Sequence, residues 1–125
     1  MNDYSGTNRR ELEPKFKLWI SSQDAQGVFG DGKWRLLKTI QQTGSLKAAA
    51  ERLGISYRKA WGDLQKAEGC LGIKFMERHR GGVGGGETRL TPAGEAWVKA
   101  YARLRTKVAD VVAREFQKEI ARLCK

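Results

Sequence analysis

The stretch Gly44–Glu68, GSLKAAAERLGISYRKAWGDLQKAE, limits the folds open to this chain of 125 residues more than any other. Ser45 supplies a side-chain oxygen at a helix start, and Leu46, Ala49, Ala50 and Leu53 then fall on one stripe at helical spacing. Two of those four positions are alanine. Helices that cross steeply after a turn of three or four residues must approach closely, and larger side chains would hold them apart. Gly54 marks the turn, Ile55 tucks into the core and Ser56 caps the next helix. The pattern is that of a helix-turn-helix. An ordinary helical hairpin would share the spacing, so the second helix has to decide between them.

Laid out at 100° per residue, that second helix gathers Ala60, Leu64, Ala67 and Leu71 on one side, with Tyr57 and Trp61 on the flank. The opposite side carries Arg58, Gly62, Gln65 and Lys66, with Lys59 beside them. Arg and Gln can pair with base edges in a major groove, while Lys and Ser can hold phosphates. The DNA-binding residues expected from this motif are Ser45, Lys47, Ser56, Tyr57, Arg58, Lys59, Gly62, Gln65 and Lys66. Gly62 costs about 1 kcal/mol of helix stability relative to alanine. Close approach of the backbone to a partner would account for it, and simple tolerance is the plainer account. Trp61 is expected at the edge of the core rather than on a base.

Upstream, residues 1–14 are polar and read as a frayed or disordered N-terminus. Phe16, Leu18 and Ile20 alternate with Lys15, Lys17 and Trp19, which suits a strand. Gly27, Gly30 and Gly32 predict a loop. Its GDGK fragment lacks the hydroxyl residue that a phosphate loop needs after the lysine, because Trp34 stands there. From Asp31, the expected N-cap, Trp34, Leu36, Leu37, Ile40 and Gln41 outline an amphipathic first helix ending at Thr43–Gly44.

Downstream, Gly72 closes the third helix, Lys74–Arg78 reads as a short strand and Thr88–Leu90 as its return. Between them His79–Glu87, HRGGVGGGE, is too glycine-rich for regular structure. Two short strands around a basic loop make a wing, which places His79, Arg80 and Arg89 at phosphates or in a minor groove. A plain flexible hairpin is the alternative. Thr91 and Pro92 then open a last helix. Along it Trp97, Tyr101, Leu104, Val108 and Val111 form a coiled-coil-like seam that slips by one residue to Val112, Phe116, Ile120 and Leu123. From Pro92 to Cys124 such a helix runs about 50 Å, further than a small domain can cover. The exposed stripe predicts a homodimer interface; folding back onto Phe16–Ile20 and the first helix is the alternative.

The fold class is therefore mostly α with a small β wing: a winged helix-turn-helix with a long C-terminal dimerisation helix. Residues 15–90 form the DNA-binding domain and 91–125 the dimerisation helix. A formal net charge of +10 agrees with an anionic partner, double-stranded DNA first. The excess is spread, at +2 over residues 1–44, +4 over 45–90 and +4 over 91–125. A dense basic tail is absent, which argues against purely electrostatic binding. No run of about 18 apolar residues and no leader-like apolar segment is present, so a cytoplasmic chain with no membrane partner is expected. Cys70 and Cys124 lack the spacing of a zinc site, so no metal or cofactor is expected. With one histidine and no nucleophile–base pair in sight, the chain does not read as an enzyme.

The run ISYRKAW followed by LGIKFMERHRGGVGGGETRLTPAGE resembles the N-terminal domain of the molybdate-responsive, ModE-type transcriptional regulators. The SYxxAW start and the GGxGGG wing are its most specific pieces. The wider frame, SLKAAAERLGIS through FMER and LTPAG, is also similar to LysR-type DNA-binding domains. Together the likeness runs from about Lys17 to Leu104. It implies a dimer with the third helix in the major groove and wings on the flanking backbone. Full-length ModE-type members carry C-terminal oxyanion-binding domains, and no such pocket is expected within these residues. Either the chain is a stand-alone member or molybdate sensing resides in a separate chain. A non-specific architectural nucleic-acid-binding protein, on DNA or RNA, is the competing reading.

Overall fold

The computed structural model describes residues 11–24, 27–79 and 87–123. The chain divides into two units, a larger one at Lys17–Ala102 and a smaller one made of Met1–Phe16 with Arg103–Lys125. In the larger unit a two-residue ribbon pairs β1 (Trp19–Ile20) with β2 (Phe29–Gly30) antiparallel, Trp19 opposite Gly30. Three helices follow, α1 (Asp31–Thr43), α2 (Leu46–Leu53) and α3 (Tyr57–Leu71). A second ribbon, β3 (Met76–His79) with β4 (Glu87–Leu90), precedes α4 (Pro92–Leu123).

Local capping chemistry sets the helix boundaries much as the residue pattern predicts. Ser45 Oγ accepts from the Ala48 amide and Ser56 Oγ from the Lys59 amide, at 3.1 and 3.0 Å. Gly54 sits at φ 71°, a left-handed conformation that ends α2 without a Cβ penalty. Its amide donates to the Glu51 carbonyl and that of Ile55 to Ala50, so two of the orphan carbonyls of α2 are satisfied inside the turn. At the start of α4, Thr91 Oγ1 accepts from the Gly94 amide at 2.9 Å, with Pro92 as first helical residue.

The upstream expectations need correction. The strand expected over Phe16–Ile20 is paired only at Trp19–Ile20, and its partner lies within the glycine-marked segment expected to be loop. That segment also carries Val28 and Phe29, both buried, with Phe29 at the centre of the core. Asp31 is not an N-cap. Gly30 holds that position, and Asp31 is the first residue of α1, where its carboxylate ties that helix to α4 and to the residue before β1. Oδ2 accepts from the Leu18 amide at 3.3 Å, and Oδ1 accepts from the Tyr101 hydroxyl of α4 at 2.7 Å. Gln41 is exposed and adds nothing to the buried face. The wing strands run two residues later and one residue earlier than expected, Met76–His79 against Glu87–Leu90.

The core joins Leu36, Leu37 and Ile40 of α1, Leu46, Ala49 and Ala50 of α2, and Ala60, Leu64 and Ala67 of α3 to an aromatic cluster. Phe29 lies 5.7 Å from Phe75, 5.5 Å from Trp97 and 5.1 Å from Tyr101, the last two edge-on as aromatic quadrupoles prefer. Two members of the expected dimer seam are thus inside the domain. Tyr101 is only 3% exposed, and Trp97 is half-buried against the Phe29 and Phe75 rings. For this end of α4 the packing onto the first helix and the upstream ribbon is what the structure holds. In the smaller unit the Arg105 guanidinium lies over the Phe16 ring, 4.7 Å from its centre. There Leu104, Val111 and Leu123 are exposed, while Val108, Val112, Phe116 and Ile120 are half-buried. No helix among the described residues is long and apolar enough to cross a membrane.

Candidate nucleic-acid interface

The wing is fastened to the helix-turn-helix by backbone bonds rather than by side-chain packing alone. The Thr88 amide of β4 donates to the Gly44 carbonyl at 2.9 Å, and Thr88 Oγ1 accepts from the Leu46 amide at 3.4 Å. The turn that launches α2 therefore holds the returning wing strand. At the other end of α3, Glu68 Oε2 accepts from the Phe75 amide at 2.7 Å, which fixes the path into β3. Helix and wing are positioned as one surface.

On α3, Arg58, Gly62 and Lys66 are exposed along one line, and a Cβ at Gly62 would meet open space. Gln65 is half-buried, its amide donating to Glu68 Oε1 at 3.1 Å. Among the described residues Arg58, Lys66 and Lys47 of α2 make no ion pair. Lys59 and Arg89 do, and His79 stands beside a carboxylate. Lys59 Nζ sits 3.0 Å from Asp63 one turn on, and His79 Nε2 lies 3.6 Å from Glu77. Arg89 grips Glu87 with both Nε and Nη2, at 3.0 and 3.2 Å. That hydrogen-bonded fork, with its charge, holds the Glu87 carboxyl below the usual carboxylate range and pushes the Arg89 guanidinium up. Ser45 and Ser56 spend their oxygens on helix caps, which leaves their hydroxyl hydrogens to donate outward. Arg80 lies outside the described residues.

Two features of this surface differ from expectation or were missed. Trp61, expected at the core edge, is 43% exposed, and Tyr57 one turn earlier is 41% exposed. Arg78, not singled out above, lies with its guanidinium 5.4 Å from the centre of the Tyr57 ring. Strand alternation could have found it. Met76 is buried, so Arg78 two residues on shares its helix-facing side, opposite Thr88. Glu77, His79, Glu87 and Arg89 occupy the other, outward face.

A short helix pair, a third helix with an exposed basic line, and a ribbon pinned beside it define a winged helix-turn-helix. Residues 32–95 match the family described as bacterial regulatory helix-turn-helix protein, lysR family. The match covers just over half of the chain, and the chain belongs to that family.

Its relatives include the molybdenum-pterin-binding protein MopB of Rhodobacter capsulatus, 38% identical over 85 residues, which are 68% of this chain and 31% of that protein. The transcriptional regulator ModE of Yersinia pestis is 41% identical over 82 residues, 65% of this chain and 31% of the relative. The chain thus spans about a third of the length of these relatives. Among solved structures, the BenM_DBD/benA site 1 DNA complex aligns at a TM-score of 0.53 and 26% identity, covering 72% of this chain and 93% of that one. The CbnR_DBD-DNA complex shares the fold at a TM-score of 0.52 and 24% identity, covering 74% and 95%. The chain is a helix-turn-helix domain of the DNA-binding regulator type.

Proposed function

We propose that this chain regulates transcription by binding a specific duplex operator as a homodimer, with α3 in the major groove and the β3–β4 wing on the flanking backbone. The observation that carries the reading is the exposed line Arg58–Gly62–Lys66 beside a wing tethered to the same motif. A free guanidinium at the start of the recognition helix can form the bidentate pair with guanine that reads sequence. Gly62 lets the helix backbone come close to the base edges. Lys47, Lys66, Lys59, Ser45, Ser56, His79, Arg80 and Arg89 serve the phosphates. A non-specific binder would not need so shaped a helix.

A competition assay tests this. The chain should prefer a selected operator over random duplex by about 10³ or more. Arg58→Ala should cost about 1–3 kcal/mol of operator binding and relax preference at one base pair. Equal weakening on every duplex would move Arg58 to a phosphate.

The Arg89–Glu87 fork makes a further expectation. Because the Glu87 carboxyl titrates below its ordinary range, it stays ionised and engaged as pH falls until that lowered value is crossed. At neutral pH, then, a phosphate must compete with the Glu87 carboxylate for Arg89. Glu87→Gln should free it, tightening duplex binding and steepening the salt dependence by about one unit of log–log slope. Titrations of affinity against salt concentration would read both.

Several relatives are named for molybdenum, among them MopB and the molybdenum transport protein ModE of Herbaspirillum seropedicae. We include in the proposal a molybdate-responsive system whose sensing groups lie outside residues 1–125. The melting temperature of residues 1–125 should then not rise with molybdate, since binding to the folded state alone would raise it.

A further inference from the structure

The proposed major-groove surface has an apolar component that hydrogen-bond readout does not use. Tyr57 and Trp61 stand one turn apart on the flank of α3, and both keep about two fifths of their surface in water. Their neighbours on the inward side, Ala60 and Leu64, are fully buried, so the two rings are excluded from a core that is already closed. The Arg78 guanidinium lies over the Tyr57 ring, 5.4 Å from its centre, and the indole of Trp61 one turn on keeps 43% of its surface exposed. Next to Trp61 on the other side comes Gly62, with open space where a side chain would be. The surface is stepped: a bulky indole rises beside a strip of bare backbone.

We infer that Trp61, supported by Tyr57, is a specificity-determining contact for the 5-methyl groups of thymine. The inference rests on the reading of α3 as a major-groove helix and names the part of the base edge that one stretch of it addresses. The patch is continuous with Arg58 and Gly62, so a duplex seated on that line meets the indole as well. On the floor of the major groove the apolar group offered by the bases is the thymine methyl, every other edge presenting donors and acceptors. An indole held clear of the core, with Gly62 permitting close approach, matches that chemistry. Arg58 and Trp61 would then read guanine and thymine on neighbouring base pairs.

The test uses the 125-residue chain and a duplex that it selects from a random pool. Each thymine of the selected site is replaced in turn by deoxyuridine, which lacks the methyl but keeps every hydrogen-bonding group. Affinity should fall about 4-fold at one or two positions, the worth of burying one methyl group. Trp61→Ala should bind the thymine duplex correspondingly less well and lose the difference between thymine and deoxyuridine at those positions. Trp61→Phe, which keeps an aromatic surface, should retain part of it and serves should the alanine variant fail to fold. If deoxyuridine is neutral everywhere, or its penalty persists in both variants, Trp61 does not read methyl groups. The same holds if Trp61→Ala weakens all duplexes equally, which is the signature of a sugar–phosphate contact. Failure of the wild-type chain to enrich any duplex would instead overturn the major-groove reading, and this inference with it.

Discussion

Gly94→Ala is expected to destabilise the domain by about 3 kcal/mol or more, although the same change inside most helices stabilises by up to about 1 kcal/mol. Gly94 is buried in the first turn of α4, and a Cβ there would run into the Phe75 carbonyl and the backbone around it. That carbonyl cannot retreat. It accepts the Thr91 amide at 2.9 Å, and Thr91 Oγ1 in turn donates to the Lys74 carbonyl and accepts from Gly94 itself. The start of α4 and the strand leading into β3 are locked backbone to backbone, with glycine the residue that fits between them. Displacing α4 would also pull Tyr101 from Asp31 and Trp97 from Phe29 and Phe75. A loss of that size in a domain of about 85 residues should lower the melting temperature by roughly 12 °C or more. Gly69→Ala is the matched control. Gly69 lies on the exposed face of α3 with open space around it, so alanine there should be neutral or slightly stabilising. Equal melting temperatures for the two variants would sink the account.

What could be read from the residues divides along physical lines. Features decided within one turn of chain were legible: the caps at Ser45, Ser56 and Thr91, and the left-handed Gly44, Gly54 and Gly72. Features decided by distant contacts were not. Phe29 is the hub of the aromatic cluster, yet it sits between glycines in a two-residue strand, too short to show any periodicity. Asp31 carries the residue type of a cap, and only the folded chain shows its carboxylate reaching across to Leu18 and Tyr101. Trp97 and Tyr101 share their 4, 3 spacing with the rest of the seam. Nothing local tells a seam residue from one that an upstream ribbon will cover. Trp61 erred in the opposite direction, since helical geometry put it on a flank and the small core left it outside. On the candidate interface, composition identified the cations. Which of them are free and which are held by acids depends on rotamers and cross-strand register that spacing does not encode.

The removal of Trp97 and Tyr101 from the seam leaves the expected dimer surface on α4 from Leu104 onward. Its apolar positions are Leu104, Val108, Val111, Val112, Phe116, Ile120 and Leu123, with Val111 and Leu123 the most exposed. Phe116→Glu combined with Ile120→Glu places two carboxylates one turn apart in the middle of that stripe, where pairing would desolvate them without partners. The double variant should therefore have the mass of a single chain in light scattering. Operator affinity should fall by about 10²–10⁴, the factor gained when one chain holds its partner's recognition helix near the second half-site. Binding to a single half-site should change little, because Arg58, Gly62 and Lys66 are untouched, and this separates loss of pairing from loss of folding. Ala121→Glu, exposed on the far side of the same helix, adds charge without entering the stripe and should leave both mass and affinity as they were. A double variant that keeps the mass and operator affinity of the unaltered chain would show that the two α3 helices are not brought together through this face.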